Sequence, residues 1–233
     1  TTLFRSVLTR KALEGVEVRL LFDAMGGRYL PRAILDSFES AGGKIGVFFP
    51  SRFKMLNLRV NYRNHRKIIV IDGKVGFMGG MNIADRYDKG TSWGTWRDTH
   101  FKFVGKGVHG LQSVFLIDWY VVSKKLLNDR IYYPAAEIYS DNIMQIATSG
   151  PVGQWRTLLQ ATIFMIANAK KYIFIQTPYF LPTESLVKAL QTAALAKVDV
   201  RLMIPERSDS TVLRFASFSY ITEMLRAAVK VYF

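Results

Sequence analysis

The residues with the clearest chemical potential are His65 and Lys67, which stand two positions apart just before the apolar run 68–71. In an extended strand, side chains at positions i and i+2 point to the same side. The imidazole and the ammonium group would then converge on one small anion at the edge of the strand. The alternative is a surface strand whose histidine has no chemical role.

The residues after this run continue a regular spacing. Asp72-Gly73 is a hairpin signal, so the run 68–71 and the segment 74–78 are expected to pair as an antiparallel hairpin. Two glycines and an asparagine follow the hairpin. The complete pattern is His65-x-Lys67-x4-Asp72-x6-Gly79-Gly80-x-Asn82.

This pattern resembles that of the phospholipase D superfamily, in which H-x-K-x4-D is followed by G-[GS]-x-N at the same spacing. Within the superfamily, the chain is most similar to the bacterial cardiolipin synthases, and the resemblance covers nearly its whole length. The segments that carry it are NHRKIIVIDG (64–73), GGMNIADRY (79–87), WRDTHFKFVG (96–105), SGP (149–151) and TPYFLP (177–182). Such proteins tend to have glycines where this chain has Lys197 and Ala228, and these departures are expected to affect helix ends rather than chemistry.

The resemblance implies a two-step phosphatidyl transfer that condenses two phosphatidylglycerols to cardiolipin and glycerol. His65 would attack phosphorus and form a phosphohistidine intermediate, which is nucleophilic catalysis by a neutral imidazole. The histidine of a second motif would act as general acid and then as general base. The resemblance implies no cofactor and no metal, and neither the three histidines nor the carboxylates of this chain have the spacing of metal ligands.

The resemblance also assigns residues to the substrate phosphate. Lys67 would bind a non-bridging oxygen as a point charge, and Asn82 would donate a hydrogen bond to the same group. Gly80 is placed beside them in the phosphate-binding set. Together they would stabilise negative charge as the phosphorus becomes pentacoordinate.

Two carboxylates complete the catalytic set of His65, Lys67, Asp72 and Asp98. Asp72 belongs to the motif, but at a hairpin turn an aspartate commonly bonds to backbone amides, which favours a structural role. Asp98 in WRDTH resembles the acidic residue that orients the histidine ring in this superfamily. The alternative for Asp98 is a charge at the edge of a strand.

Apolar strands alternate with helical patterns along the chain, which predicts an α/β protein with a largely parallel sheet. The expected helices are 3–14, 31–41, 108–127, 155–171, 183–196 and one that ends at 227, and 129–150 is expected to be mostly irregular. Besides the hairpin, the expected strands are 16–22, 45–49, 101–104, 172–176, 198–204 and 230–233. The resemblance specifies a phospholipase D-like fold with two repeated α/β/α halves and mixed sheets.

An internal repeat supports two halves. GVEVRLLFD (15–23) matches KVDVRLMIP (197–205) at an offset of 182 positions, and a helix and a short strand follow each copy. The predicted domains are 1–148, a first repeat that carries the motif and whose start is clipped, and 149–233, an incomplete second repeat. A second His-x-Lys is expected at about position 251, roughly 18 residues beyond this chain, so the second half is expected to be truncated before its motif.

Composition restricts the partners. The formal net charge of +14 predicts attraction to polyanions, either nucleic acid or an anionic membrane surface. No run of eighteen apolar residues occurs, because Asp118 interrupts the nearest approach at 114–122, so no transmembrane helix is expected within the chain. The resemblance selects phosphatidylglycerol, cardiolipin and the surface of the bacterial inner membrane, with no specific nucleic acid.

Two further segments are open to two interpretations. SRFKMLNLRVNYR (51–63) interleaves basic and apolar residues, so it could enter the membrane interface or form an ordinary amphipathic strand. TPYFLP could line an acyl pocket, or its prolines could only stiffen a turn between a strand and a helix.

Two other functions remain as alternatives. The superfamily includes hydrolases and nucleases, and a basic chain could bind DNA phosphates through the same motif. The chain could also be a non-catalytic fragment that binds anionic lipids. If the chain carries only this one motif, activity would require a homo-oligomer in which His65 of one copy pairs with His65 of a second copy.

Overall fold

The computed structural model describes residues 2–49, 63–92, 94–138, 140–150 and 153–233. The chain divides into two compact units, residues 1–146 and 147–233, which are described separately. The basic and apolar segment 51–63 lies outside the described residues except for Arg63, so both interpretations of it stay predictions.

Unit 1 contains nine helices and strands and one 3-10 turn within its described residues. They are α1 (Thr2–Leu13), β1 (Arg19–Asp23), α2 (Arg32–Ser40), β2 (Lys44–Phe48), β3 (Ile68–Ile71), β4 (Val75–Gly79), α3 (Arg86–Lys89), β5 (His100–Val104), α4 (Val108–Ser123) and the 3-10 turn Arg130–Tyr132. β1 and β2 form a parallel pair, whereas β3, β4 and β5 form an antiparallel sheet in that order. The strand β3, which lies within the motif between Lys67 and Asp72, is therefore part of an antiparallel sheet.

The long helix α4 connects these two sheets. It packs against β2 of the parallel pair and against β3 and β4 of the antiparallel sheet. Its side chains Val108, Leu111, Leu116 and Trp119 are buried. The approach is close at Gly76 of β4, where an added Cβ would lie 2.8 Å from Leu111. Burial of this apolar helix face stabilises unit 1 and fixes the sheets on which the motif stands.

The Asp72-Gly73 hairpin forms as predicted. Asp72 and Gly73 have φ angles of 53° and 64°, and the amide of Lys74 donates to the carbonyl oxygen of Ile71 at 3.0 Å. Positive φ at both central residues is the signature of a type I′ turn, whose twist matches that of the paired strands. Gly73 also leaves room for Pro134, which a side chain would meet.

Unit 2 contains a three-stranded parallel sheet and its helices. Its elements are α5 (Thr157–Asn168), β6 (Tyr172–Gln176), α6 (Glu184–Leu195), β7 (Asp199–Met203), α7 (Thr211–Phe218), α8 (Ile221–Arg226) and β8 (Lys230–Tyr232). The strand order is β6, β7, β8. Val187 and Leu190 of α6 pack with Val200 and Leu202 of β7 and Met224 of α8 in one apolar core.

One cluster of charges occurs in both units. Its members in unit 1 are Glu17, Arg19 and Lys44, and those in unit 2 are Asp199, Arg201 and Lys230. The carboxylate lies 2.6 Å from the guanidinium group in unit 1 and 2.7 Å in unit 2. In each unit the arginine is paired with the lysine across two parallel strands. The internal repeat of the sequence thus has a counterpart in three dimensions, while the boundary at 148 stays a prediction.

Some expected boundaries are wrong. β1 begins at Arg19 rather than at Val16, and its residues are only partly buried. α4 ends four residues early because Lys124 adopts a left-handed conformation with φ of 59°. The last expected helix is divided into α7 and α8. Parallel and antiparallel pairing both occur in unit 1, but in separate sheets.

Candidate active site

His65 and Lys67 lie in the segment that leads into β3, not within the strand itself, which begins at Ile68. The imidazole of His65 is exposed, and Lys67 is partly buried. Nζ of Lys67 donates to the main-chain carbonyl oxygen of His65 at 2.8 Å. The structure therefore brings the two residues together through this bond rather than through side chains aligned on one strand face.

A carboxylate at the end of β1 holds the start of this segment. Asp23 accepts a hydrogen bond from the amide of Asn64 at 3.2 Å and forms an ion pair with Arg63 at 3.4 Å. Its Oδ1 also accepts from the amides of Met25 and Gly26 in the following turn. Asp23 thereby connects the C-terminal end of β1 to the residue before His65.

A second carboxylate, Asp118 on α4, holds the residues on both sides of His65. It accepts from Nδ2 of Asn64 at 3.2 Å and from Nη1 of Arg66 at 2.5 Å. In the sequence, Asp118 stands out only as an interruption of an apolar run. The interruption itself indicates a role for Asp118, because an aspartate on a buried helix face requires a partner.

A small cavity of about 70 Å³ lies behind the segment. Its polar wall includes Asp23, Asn64, Arg66 and Asp118, and its apolar wall includes Phe22 and Phe115. A cavity of this volume with several polar groups is large enough for water molecules. Asp118 is the buried member of the Arg66–Asp118 pair, whereas the Arg66 side chain lines the cavity and also reaches solvent.

Asp98 lies against Gly80. The amide of Thr99 donates to Oδ1 of Asp98 at 2.7 Å, and the amide of Gly80 donates to the carbonyl oxygen of Thr99 at 2.9 Å. A Cβ at position 80 would overlap the carboxylate of Asp98, lying 2.6 Å from Cγ. Within the described residues, Asp98 makes no hydrogen bond to His65, so its orienting role stays a prediction.

Burial lowers the pKa of the Lys67 ammonium group from its usual 10.5, and the charges of Tyr87 and Asp98 oppose this shift. Asp98 and Tyr87 therefore favour the charged form of Lys67, whereas burial disfavours it. Lys67, the predicted phosphate ligand, thus interacts electrostatically with Asp98, the predicted acidic partner of His65. The structure shows an effect of Asp98 on Lys67 rather than on His65.

Asn82 donates from Nδ2 to the phenol oxygen of Tyr87 at 3.2 Å. The ring of Tyr87 meets that of Trp96 edge to face, with centroids 6.2 Å apart. The guanidinium group of Arg86 lies over Trp96 at 4.6 Å. Sequence reasoning selected Asn82 but missed Tyr87, whose type alone gives no sign of its position beside the motif.

The structure does not bring Asp72 to His65. Asp72 follows the last residue of β3, whereas His65 precedes its first residue. The four residues of the strand alone span about 13 Å. Asp72 adopts the left-handed turn conformation described above, which supports its structural interpretation.

Phe180, in the TPYFLP segment, lies in the core of unit 2. Its side chain is 4% exposed and meets the ring of Tyr220 edge to face. Phe180 is thus a core residue, and the acyl-pocket hypothesis does not apply to it.

Among the helices of the described residues, none is long and apolar enough to cross a membrane. Those residues also contain no group of three or more histidine and acidic side chains placed to hold a metal ion.

Comparisons with known proteins identify the family. The family described as "Cardiolipin synthase, PLD-like domain" matches residues 2–89 and 162–233. The chain is 43% identical over 98% of its length to the major cardiolipin synthase ClsA of Bacillus subtilis, and 42% identical over 97% of its length to a cardiolipin synthase of Listeria innocua. It spans about half of these relatives, 48% of each.

A solved structure supports the fold. The crystal structure of phosphatidylserine synthase from Haemophilus influenzae Rd KW20 matches 98% of this chain and 70% of its own chain, with a TM-score of 0.54 and 14% identity. The phospholipase D-like α/β fold expected from the motif is confirmed by this match and by the family match. The chain belongs to the cardiolipin synthase family of phospholipase D-like domains.

Proposed function

We propose that this chain supplies the His65 half of the active site of a cardiolipin synthase-type phosphatidyltransferase. The reaction condenses two phosphatidylglycerols to cardiolipin and glycerol. The observation that carries the proposal is the placement of His65 and Lys67 on one anchored segment, with Lys67 in electrostatic reach of Asp98, in a chain of this family.

In the first step, a nitrogen lone pair of His65 attacks the phosphorus of the first phosphatidylglycerol. The bond from phosphorus to the headgroup glycerol breaks, and the leaving oxygen takes a proton from a second histidine outside this chain. Lys67 and Asn82 bind the non-bridging oxygens, and Gly80 leaves the space for Asp98 beside them. The product is a phosphatidyl-histidine and free glycerol.

In the second step, a hydroxyl of the second phosphatidylglycerol attacks the phosphorus. That hydroxyl gives its proton to the second histidine, and the phosphorus–nitrogen bond to His65 breaks. Cardiolipin leaves, and both histidines return to their initial states. Asp98 acts electrostatically, because its negative charge favours the charged form of Lys67 throughout.

Anionic phospholipids at a membrane surface are the proposed partners. The formal net charge of +14 supports attraction to an anionic leaflet. We place the enzyme at the bacterial inner membrane. The second histidine comes from a second motif elsewhere in the protein or from a second copy of the chain.

The test uses the full-length protein that contains this chain, incubated with phosphatidylglycerol vesicles. Lipid products are identified by mass spectrometry, and His65→Ala is the control. Cardiolipin together with glycerol, both lost in the variant, supports the proposal. Phosphatidic acid without cardiolipin would assign a hydrolase instead.

Vesicle binding without any product would assign a non-catalytic lipid-binding role. If the protein instead cleaved DNA in a His65-dependent manner and made no lipid product, the nuclease alternative would replace the proposal.

A further inference from the structure

His65 is exposed and forms no side-chain hydrogen bond within the described residues, so its position depends on its neighbours. Asn64 and Arg66 stand directly before and after it, and both are bound by one carboxylate, that of Asp118. Oδ1 of Asn64 also accepts from the amide of Arg66 at 2.9 Å, so a local hydrogen bond spans His65.

Asp118 is suited to hold this turn because it is fixed itself. Its residue is 6% exposed, and it lies on α4 between the buried side chains of Leu116 and Trp119. Because the Asp118 side chain is buried although that of Arg66 is partly exposed, solvent and salt screen this ion pair less than a fully exposed one. Loss of the Asp118 charge would break this ion pair with Arg66.

We propose that Asp118 is a positioning residue for the nucleophile: it binds the side chains of the residues on both sides of His65 and so sets the direction of the imidazole. This proposal rests on the proposed function of His65. Asp118 does not touch the substrate in this scheme. Its effect reaches the reaction through Asn64 and Arg66, so it is expected to affect the chemical step more than substrate binding.

The test compares Asp118→Asn with Leu116→Ala in the full-length protein. Asparagine keeps the size of Asp118 but removes the charge that binds Arg66. Leu116 is a buried residue on the same helix whose apolar side chain takes no part in these hydrogen bonds, so its truncation lowers stability while leaving their donors and acceptors in place. Both variants are assayed at a temperature at which circular dichroism shows them fully folded.

The expected result is a kcat that falls about ten- to a hundredfold in Asp118→Asn, with KM unchanged within about twofold. Leu116→Ala keeps the wild-type kcat under the same conditions. Arg66→Gln combined with Asp118→Asn is expected to lose no more than the worse single variant, because the two residues act as one unit. An unchanged kcat in Asp118→Asn, or an equal loss in Leu116→Ala, would overturn the proposal.

Hydrogen exchange separates this proposal from the proposed function. The amides of residues 64–67 are expected to exchange faster in Asp118→Asn than in wild type, and not in Leu116→Ala. This measurement needs no substrate. If wild type makes no cardiolipin yet exchange accelerates, the anchor exists and the proposed reaction is wrong. If exchange in 64–67 is unchanged, the positioning role is wrong whatever the activity.

Discussion

The ammonium group of Lys67 donates to the main-chain carbonyl oxygen of His65, at an N–O distance of 2.8 Å. The proposed phosphate ligand is thereby held against the backbone of the proposed nucleophile. An ammonium group has three donors, so Lys67 can keep this bond and still donate to a substrate phosphate. Its bond to the phosphate would be the stronger of the two, because a charge-assisted bond to an anion is stronger than a bond to a neutral carbonyl.

Lys67→Met is expected to lower kcat/KM by about a hundredfold or more, because a charge that stabilises the transition state is lost. Lys67→Arg keeps the charge but changes its geometry, so it should retain more activity than the methionine variant. The assay is cardiolipin formation on phosphatidylglycerol vesicles. Equal activity in wild type and Lys67→Met would contradict the role of Lys67.

The pKa of Lys67 predicts a dependence of stability on pH. Burial lowers the folded-state pKa below the usual 10.5, so between the two values the unfolded chain binds more protons than the folded chain. Stability relative to Lys67→Met should therefore rise with pH in this window and be constant below it. Urea unfolding of both proteins at a series of alkaline pH values tests the sign. A relative stability that falls with pH would show that the folded-state pKa is raised.

Gly80→Ala is expected to impair activity more than stability. The new methyl group would overlap the carboxylate of Asp98, which then has to shift from the position in which it favours the charged form of Lys67. Because a small displacement of a charged group is costly in an active site, we expect a loss of kcat of about tenfold or more. Gly153→Ala is the matched control, since its new Cβ would meet only an ordinary contact at 3.5 Å. Equal activity in both variants would show that the position of Asp98 does not matter for the reaction.

Tyr87→Phe tests a residue that the sequence analysis did not select. The phenol oxygen accepts a hydrogen bond from Asn82, so its own proton is free to be donated toward the phosphate site. Loss of one such bond, about 1 kcal/mol, predicts a fall in kcat/KM of about five- to tenfold with little change in Tm. Tyr120→Phe on the exposed face of α4 is the control. Identical kinetics in the two variants would assign Tyr87 to packing alone.

Local signals in the sequence were sufficient for some features and not for others. Asp72-Gly73 predicted its turn because two residues with positive φ restrict the hairpin to one type. The sequence did not reveal that Asp118 binds the segment around His65, because its partner Arg66 lies 52 positions away. A helical pattern gives no information about partners that are distant in the sequence. The division between α7 and α8 falls at Ser219-Tyr220, where neither glycine nor proline marks it.

Lys197→Gly is expected to stabilise the protein. α6 ends in a Schellman motif, in which the amide of Val198 donates to Ala193 at 3.1 Å and that of Lys197 to Ala194 at 3.0 Å. This motif forces Lys197 to a φ of 71°, a conformation that glycine adopts without the steric cost of a side chain. Its counterpart in the internal repeat is Gly15, with a φ of 84°.

The expected gain is about 1 kcal/mol in the free energy of unfolding, or a rise in Tm of about 2–4 °C. Ala196→Gly is the matched control one residue earlier, where φ is −76° and glycine only adds entropy to the unfolded chain. It should destabilise by up to about 1 kcal/mol. Thermal unfolding of both variants and of the wild type measures the change in stability. This change should have opposite signs at the two adjacent positions. Equal destabilisation would mean that residue 197 does not adopt the left-handed conformation in solution.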